Sequence, residues 1–156
     1  MPKTIGCIIA RTASRRLPKK VLRTVDNKTL IEHLIDRVKR AQNIDKIYLC
    51  TSIDPDDEIL LSIAKENEIY GYAGSREIVI DRMLDVADME KADSVIRMTG
   101  DNIFCDEIIT DKMIELHNQY RADYTRTTAL PLGVTSEIFS VSGLKRMYSS
   151  LDLNQT

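Results

Sequence analysis

The stretch "IIARTASRRLPKKVL", Ile8 to Leu22, changes character halfway along. It starts inside an apolar run, Ile5 to Ala10, and passes straight into Arg11, Arg15, Arg16, Lys19, Lys20 and Arg23. A short β-rich run of this kind reads as a buried strand, over Thr4–Ala10. The chain around it is not basic: 22 Lys and Arg stand against 24 Asp and Glu, for a net charge of −2. A general nucleic-acid binder carries more positive charge. Aromatic residues at 5% also leave no stacking platform, so no nucleic-acid partner is expected. Six cations gathered in one loop suit a compact anion better than a long polyanion.

Working outward, strand and helix patterns alternate. Thr29–Gln42 has apolar residues at helical spacing, and Thr29 with Glu32 forms a capping-box pair. Lys46–Ser52 reads as a second strand. Asp54 is the expected cap of a helix opening at Pro55, with Ile59, Leu60, Ile63 and Ala64 inward. Glu68–Ala73 reads as a third strand. Ser75 is the expected cap of a helix through Glu90, with Ile80, Met83, Leu84 and Ala87 inward. Ser94–Thr99 is a fourth strand. Asp106 or Thr110 opens a helix through Tyr120. Asp123–Thr128 and Thr135–Val141 read as further strands, and Ser142 as the cap of a last helix over Gly143–Ser150. The alternation implies an α/β fold with a mostly parallel sheet and helices on both faces. Ligands in such sheets bind beyond the carboxyl ends of the strands. That singles out the loops Arg11–Lys28, Ser52–Asp54 and Gly100–Asp106.

At 156 residues and 43% hydrophobic content, the chain has the material for one domain with a real core. No apolar run approaches eighteen residues, so no membrane partner is expected. Cys7, Cys50 and Cys105 are odd in number and lack metal-ligand spacing, and we read Cys7 and Cys50 as reduced core residues of a cytoplasmic protein.

Three groups could carry chemistry. Arg11, Arg16 and Lys20 follow a strand end and offer paired and point-like donors for phosphate oxygens. The spacing matches neither the P-loop nor the G-x-G-x-x-G pattern, and a solvated basic turn is the alternative. Pro18 favours a defined turn there. Gly100–Asn102 places Asp101 at a strand's carboxyl end, where a carboxylate can hold a hard divalent cation; a simple turn former is the alternative. Asp81 and Arg82 lie on one helix, where an exposed ion pair of little energetic weight is the bland reading. His33 and His117 read as structural or exposed, and no catalytic grouping with Ser or Cys is defensible.

Taken together, "IIARTASRRLPKKVL", "TLIEHLIDRVKRA", "YLCTSIDPDDE", "GSREIVIDRM", "IRMTGDNIFCDEII" and "PLGVTSEIFSVSGLKR" resemble, in order, the cytidylyltransferases that activate acidic sugars. The similarity is strongest to the branch tied to spore coat polysaccharide synthesis. It implies a three-layer, nucleotide-diphospho-sugar transferase-like (Rossmann-like) sandwich. It also implies transfer of CMP from CTP to an acidic sugar hydroxyl, with pyrophosphate released and Mg²⁺ as cofactor.

By the same resemblance Arg11, Ser14, Arg16 and Lys20 bind the triphosphate, with Lys20, Arg11 and Arg16 catalytic. Asp101 holds the metal. Ala10, Thr51, Asp54, Gly74, Arg82 and Gly100 lie around the nucleotide, and Glu137 lies on the sugar side. A homodimer through Tyr124–Phe139 is implied as well. Three positions depart from the family pattern. Ala13 and Lys19 stand where glycine is usual, and Thr135 stands two places before Glu137 where an acidic residue is frequent. Relatives continue beyond the point where this sequence stops and draw a second metal carboxylate from there, so 1–156 is expected to lack a C-terminal part of the family fold. A non-catalytic nucleotide-binding or assembly module is the alternative function.

Overall fold

The computed structural model describes residues 2–14, 17–131, 133–134 and 136–151. In chain order, β1 (Thr4–Ile9) leads to a hairpin of β2 (Thr24–Val25) and β3 (Lys28–Thr29), then α1 (Leu30–Val38) and β4 (Lys46–Ser52). Next come α2 (Glu58–Glu66), β5 (Tyr70–Gly74), α3 (Val79–Glu90) and β6 (Ser94–Thr99). The remainder is α4 (Glu107–Tyr120), β7 (Tyr124–Arg126), β8 (Glu137–Ser140) and α5 (Val141–Ser149). The main sheet has the order β5-β4-β1-β6-β8-β7. Its first four strands are parallel, and β8 joins antiparallel to both β6 and β7.

Period-two alternation along β1 sends Ile5, Cys7 and Ile9 to one face and Ile8 and Ala10 to the other. The first set packs with Met83, Val86 and Ala87 of α3 and with Val141 and Leu144 of α5. The second set packs with Ile31, Leu34 and Ile35 of α1, Leu60 and Ala64 of α2, and Met113 and Ile114 of α4. The sheet is therefore covered on both faces, which is why its strands read as continuous apolar runs. Among the described residues no helix is long and apolar enough to cross a membrane. Cys7, Cys50 and Cys105 are free and buried.

Several boundaries differ from the sequence reading. The capping box at α1 is present, with Glu32 N bonded to Thr29 Oγ1 at 3.3 Å and Thr29 N to Glu32 Oε2 at 2.8 Å. The helix stops at Val38 rather than Gln42. Arg40 and Ala41 donate to carbonyls three residues back, and Asp111 takes the N–H groups of Gln42 and Asn43. Asp54 caps no helix with its side chain, because Pro55–Asp57 is one turn of 3₁₀ helix ahead of α2. Ile59 is 46% exposed, since it sits 100° around α2 from Leu60 at the edge of the buried stripe. Ser75 Oγ accepts from Ile78 N at 3.1 Å, closing a turn before α3 rather than capping it. The cap of α5 is Ser140, not Ser142: Ser140 Oγ accepts from Gly143 N at 3.0 Å, so the helix starts at Val141 and buries that side chain. Asp106 caps α4, its Oδ1 accepting from Ile109 N at 2.8 Å.

Candidate active site

The carboxyl ends of β1 and β6 lie side by side, paired through Ile9 and Thr99. The turn after β6 tightens there: Gly100 N donates to Ile9 O at 2.8 Å, and Asn102 N to Thr99 O at 2.8 Å. A Cβ at Gly100 would stand 2.8 Å from Ala10 Cβ and 3.2 Å from Ile9 O, so only glycine lets the two strand ends approach this closely. Beyond them opens a cleft of about 270 Å³, lined by Ala10, Arg11, Ala13, Ser14, Lys20, Arg82, Arg97, Gly100 and Asp101 among others. A second groove of about 560 Å³ lies beside it, with Arg11, Thr12, Ala13, Ser14 and Lys19 in its wall. A separate groove of about 480 Å³, bounded by Pro2, Gln42, Asn43, Asp45 and Glu115, has no cation in its lining and suits no anion.

Two features define the charge pattern of the cleft. Lys20 Nζ lies 2.6 Å from Asp101 Oδ2, with both side chains partly exposed. Arg82 has no exposed surface, and among the described residues none of its three guanidinium nitrogens has a hydrogen-bond partner. Burial pulls its pKa down, because desolvation disfavours the charged form. The reading of Arg82 as half of an exposed pair with Asp81 is therefore corrected: Asp81 instead accepts a hydrogen bond from Tyr148 OH. Arg82 sits on the same turns of α3 as the buried Met83 and Val86, so the helix's inward face is wider than its apolar stripe.

The remaining expected site residues fall around this cleft rather than in it. Thr51 is fully buried at the end of β4. Asp54 N donates to Ser52 Oγ at 3.2 Å, and the Asp54 carboxylate pairs with Arg76 Nη2 at 2.7 Å. Gly74 lies under the stem of Arg82, where a Cβ would meet Arg82 Cγ at 3.0 Å. Glu137 reaches the cleft edge through Arg97, whose Nη1 donates to Glu137 Oε2 at 2.5 Å, while Tyr124 OH donates to Oε1 at 2.6 Å. Burial pushes the Glu137 carboxyl up, but those two donors outweigh it and hold the pKa below the ordinary value. Arg16 and Thr135 lie outside the described residues.

Lys19 has φ 53° and ψ 32°, a left-handed conformation that glycine takes without a Cβ penalty. Ala13 is not among the positive-φ residues, so its backbone does not demand glycine. Sequence reasoning missed Arg97 and Asp57. Arg97 had a signal, a cation between Ile96 and Met98 near the end of an apolar strand. Asp57 had none, because its partner Thr12 is 45 positions away.

Residues 5–154 match the family profile described as Cytidylyltransferase. The chain is 30% identical over 148 residues to an uncharacterized protein of Methanocaldococcus jannaschii, covering 95% of this chain and 61% of that protein. It is 34% identical over 139 residues to the spore coat polysaccharide biosynthesis protein SpsF of Bacillus subtilis, covering 86% and 58%. It thus spans about three fifths of the length of these two relatives. A cytidylyltransferase structure from Leptospira borgpetersenii superposes with a TM-score of 0.91 at 29% identity, over 98% of this chain and 66% of that one. With the profile match covering nearly the whole sequence and the close superposition on a cytidylyltransferase structure, the chain belongs to the cytidylyltransferase family.

Proposed function

We propose that this chain carries the site that transfers CMP from CTP to the hydroxyl of an acidic sugar, for surface polysaccharide or glycan synthesis. The observation that carries the reading is Arg82, a buried guanidinium without an acceptor in a cleft that also holds Arg11 and Lys20. A buried charge without a partner is costly, and a phosphate entering the cleft beside it supplies the missing counter-charge. The order of the motifs and the similarity to a polysaccharide biosynthesis protein support cytidine as the base and a sugar as the acceptor.

In the reaction, the acceptor oxygen bonds to the α-phosphorus and gives up its hydroxyl proton to solvent, the bond from that phosphorus to the α–β bridging oxygen breaks, and pyrophosphate leaves with the electron pair. Arg11, Arg82 and Lys20 stand where that negative charge grows, and fixed cations at a developing charge lower the barrier. Arg16 is proposed to join them on the same loop. Lys20 exchanges Asp101 for a phosphate oxygen as CTP enters. Arg97, held by Glu137, borders the side proposed for the sugar.

Mg²⁺ is usually held by one or two carboxylates together with phosphate oxygens and water. Asp101 provides one partly exposed carboxylate at the cleft, and no group of three or more His, Cys, Asp or Glu side chains gathers among the described residues. That donor set fits a magnesium ion held jointly with the triphosphate. Asp101 would hold it, and when bound it would neutralise phosphate charge.

We extend the proposal to a homodimer through the 124–139 region, where Tyr124, Phe139, Leu144 and Met147 border an apolar hollow of about 380 Å³. Sedimentation equilibrium that finds only monomer contradicts that part. The transfer itself is tested by incubating the protein with CTP, Mg²⁺ and a set of acidic sugars while measuring pyrophosphate. Release that depends on both CTP and a sugar is expected. Nucleotide binding with no release for any sugar contradicts transfer and favours a binding module.

A further inference from the structure

Asp57 is the only fully buried carboxylate among the described residues, 1% exposed, and it faces donors alone. Its Oδ1 accepts from Thr12 N and Thr12 Oγ1, both at 2.7 Å. Its Oδ2 accepts from Ser52 Oγ at 2.6 Å and Ser52 N at 3.3 Å. Thr12 belongs to the loop after β1, Ser52 ends β4, and Asp57 itself is fixed at the turn that opens α2. One side chain therefore ties three elements together at the ligand end of the sheet. The tie extends further, because Thr12 O accepts Lys19 N at 3.0 Å. The segment carrying Arg11 and Ser14 and the turn presenting Lys20 both hang from Thr12.

We propose that Asp57 is a positioning residue for the nucleotide site, a buried acceptor that touches no substrate and sets Thr12 so that Arg11, Ser14 and Lys20 are arranged before CTP arrives. The proposal rests on reading the cleft as a CTP site. Only an ionised carboxylate suits this place, since all four contacts are donors and an amide nitrogen would face one of them. Burial pushes the Asp57 carboxyl up, yet the hydrogen bonds from Ser52 and Thr12 outweigh it and keep the pKa below the ordinary value. The sign of the mutational effect separates position from charge. A negative charge beside an anion site repels CTP, so a residue acting through charge alone would strengthen binding when neutralised. A residue acting through position weakens it.

The test is calorimetric titration of CTP with Mg²⁺ into the full chain, comparing wild type with Asp57→Asn, Thr12→Val and Thr12→Ser, and following thermal melting in parallel. Expected results are at least a tenfold loss of CTP affinity in Asp57→Asn, a several-fold loss in Thr12→Val, and near wild-type affinity in Thr12→Ser, where the hydroxyl is kept. In turnover, the loss falls on the KM for CTP and leaves the KM for the sugar in place. A folded Asp57→Asn that binds CTP as tightly as wild type, or more tightly, overturns the positioning role and leaves the CTP site standing. If Asp57→Asn does not fold, Thr12→Val decides, and wild-type affinity there overturns the role. Wild type that binds no CTP overturns the site reading and this inference with it.

Discussion

Lys20 Nζ and Asp101 Oδ2 meet at 2.6 Å across 81 positions of sequence, joining the basic loop after β1 to the turn after β6. Both side chains are partly exposed, at 41% and 32%, so the pair adds little to stability. Under the proposed function its weight lies in the reaction. Lys20→Ala and Asp101→Asn are each expected to lower CTP-dependent pyrophosphate release by about 10²–10³-fold, the usual effect of removing one group that stabilises transition-state charge. Melting temperatures stay within a few degrees of wild type. Near-normal turnover in both variants removes these residues from the site.

Arg82→Met separates stability from function. The substitution removes a buried charge that has no partner and keeps most of the volume. Replacing buried charge with apolar side chains is often neutral or stabilising, and binding sites are where such costs are tolerated. The variant should melt at the same temperature or higher while losing CTP affinity. A lower melting temperature with unchanged affinity contradicts the account of Arg82.

Gly100→Ala tests the closeness of the two strand ends. The new methyl would lie 2.8 Å from Ala10 Cβ and 3.1 Å from Ile31 Cδ1. Overpacking of this kind costs about 1–3 kcal/mol. Chemical denaturation should show that loss together with weaker nucleotide binding, because the displaced segment carries Asp101. Wild-type stability means the gap is wider than described.

Acid stability should depend on Glu90. Its carboxylate accepts from Lys3 Nζ at 2.8 Å, Lys46 Nζ at 2.8 Å and Tyr48 OH at 2.5 Å, and in that order these contacts lower its pKa to about 2. A free glutamate titrates near about 4.3. A lowered folded pKa gives stability that is present above the unfolded value and lost as pH falls toward the folded one. Wild type should therefore exceed Glu90→Gln in melting temperature at neutral pH, with the gap closing between about pH 5 and pH 2. A gap independent of pH contradicts this assignment.

The sequence was readable where a signal is local. Lys46–Ser52 and Ser94–Thr99 form strands with the expected bounds, because each is a compact run buried on both faces and flanked by turn formers. The Thr29–Glu32 cap and the basic loop at a strand end were legible for the same reason. The hairpin at Asp26–Asn27 was missed although both residues take positive φ, as this pair favours in tight turns. For Arg82 it was the bland alternative of an exposed pair that failed, because charge suggests the surface while tertiary packing buries this side chain. The Thr12–Asp57 contact depends on loops brought together by the sheet, and no local pattern announces it. The central prediction, an anion site at the carboxyl ends of β1 and β6, combined a local cluster with the topology of parallel sheets.

Titration of the protein with CTP, with ATP as control and with Mg²⁺ present or absent, tests that prediction most directly. The account predicts binding that prefers CTP, strengthens with Mg²⁺, and is lost in Lys20→Ala. Equal affinity for ATP and CTP, or binding unaffected by Lys20→Ala, would contradict it.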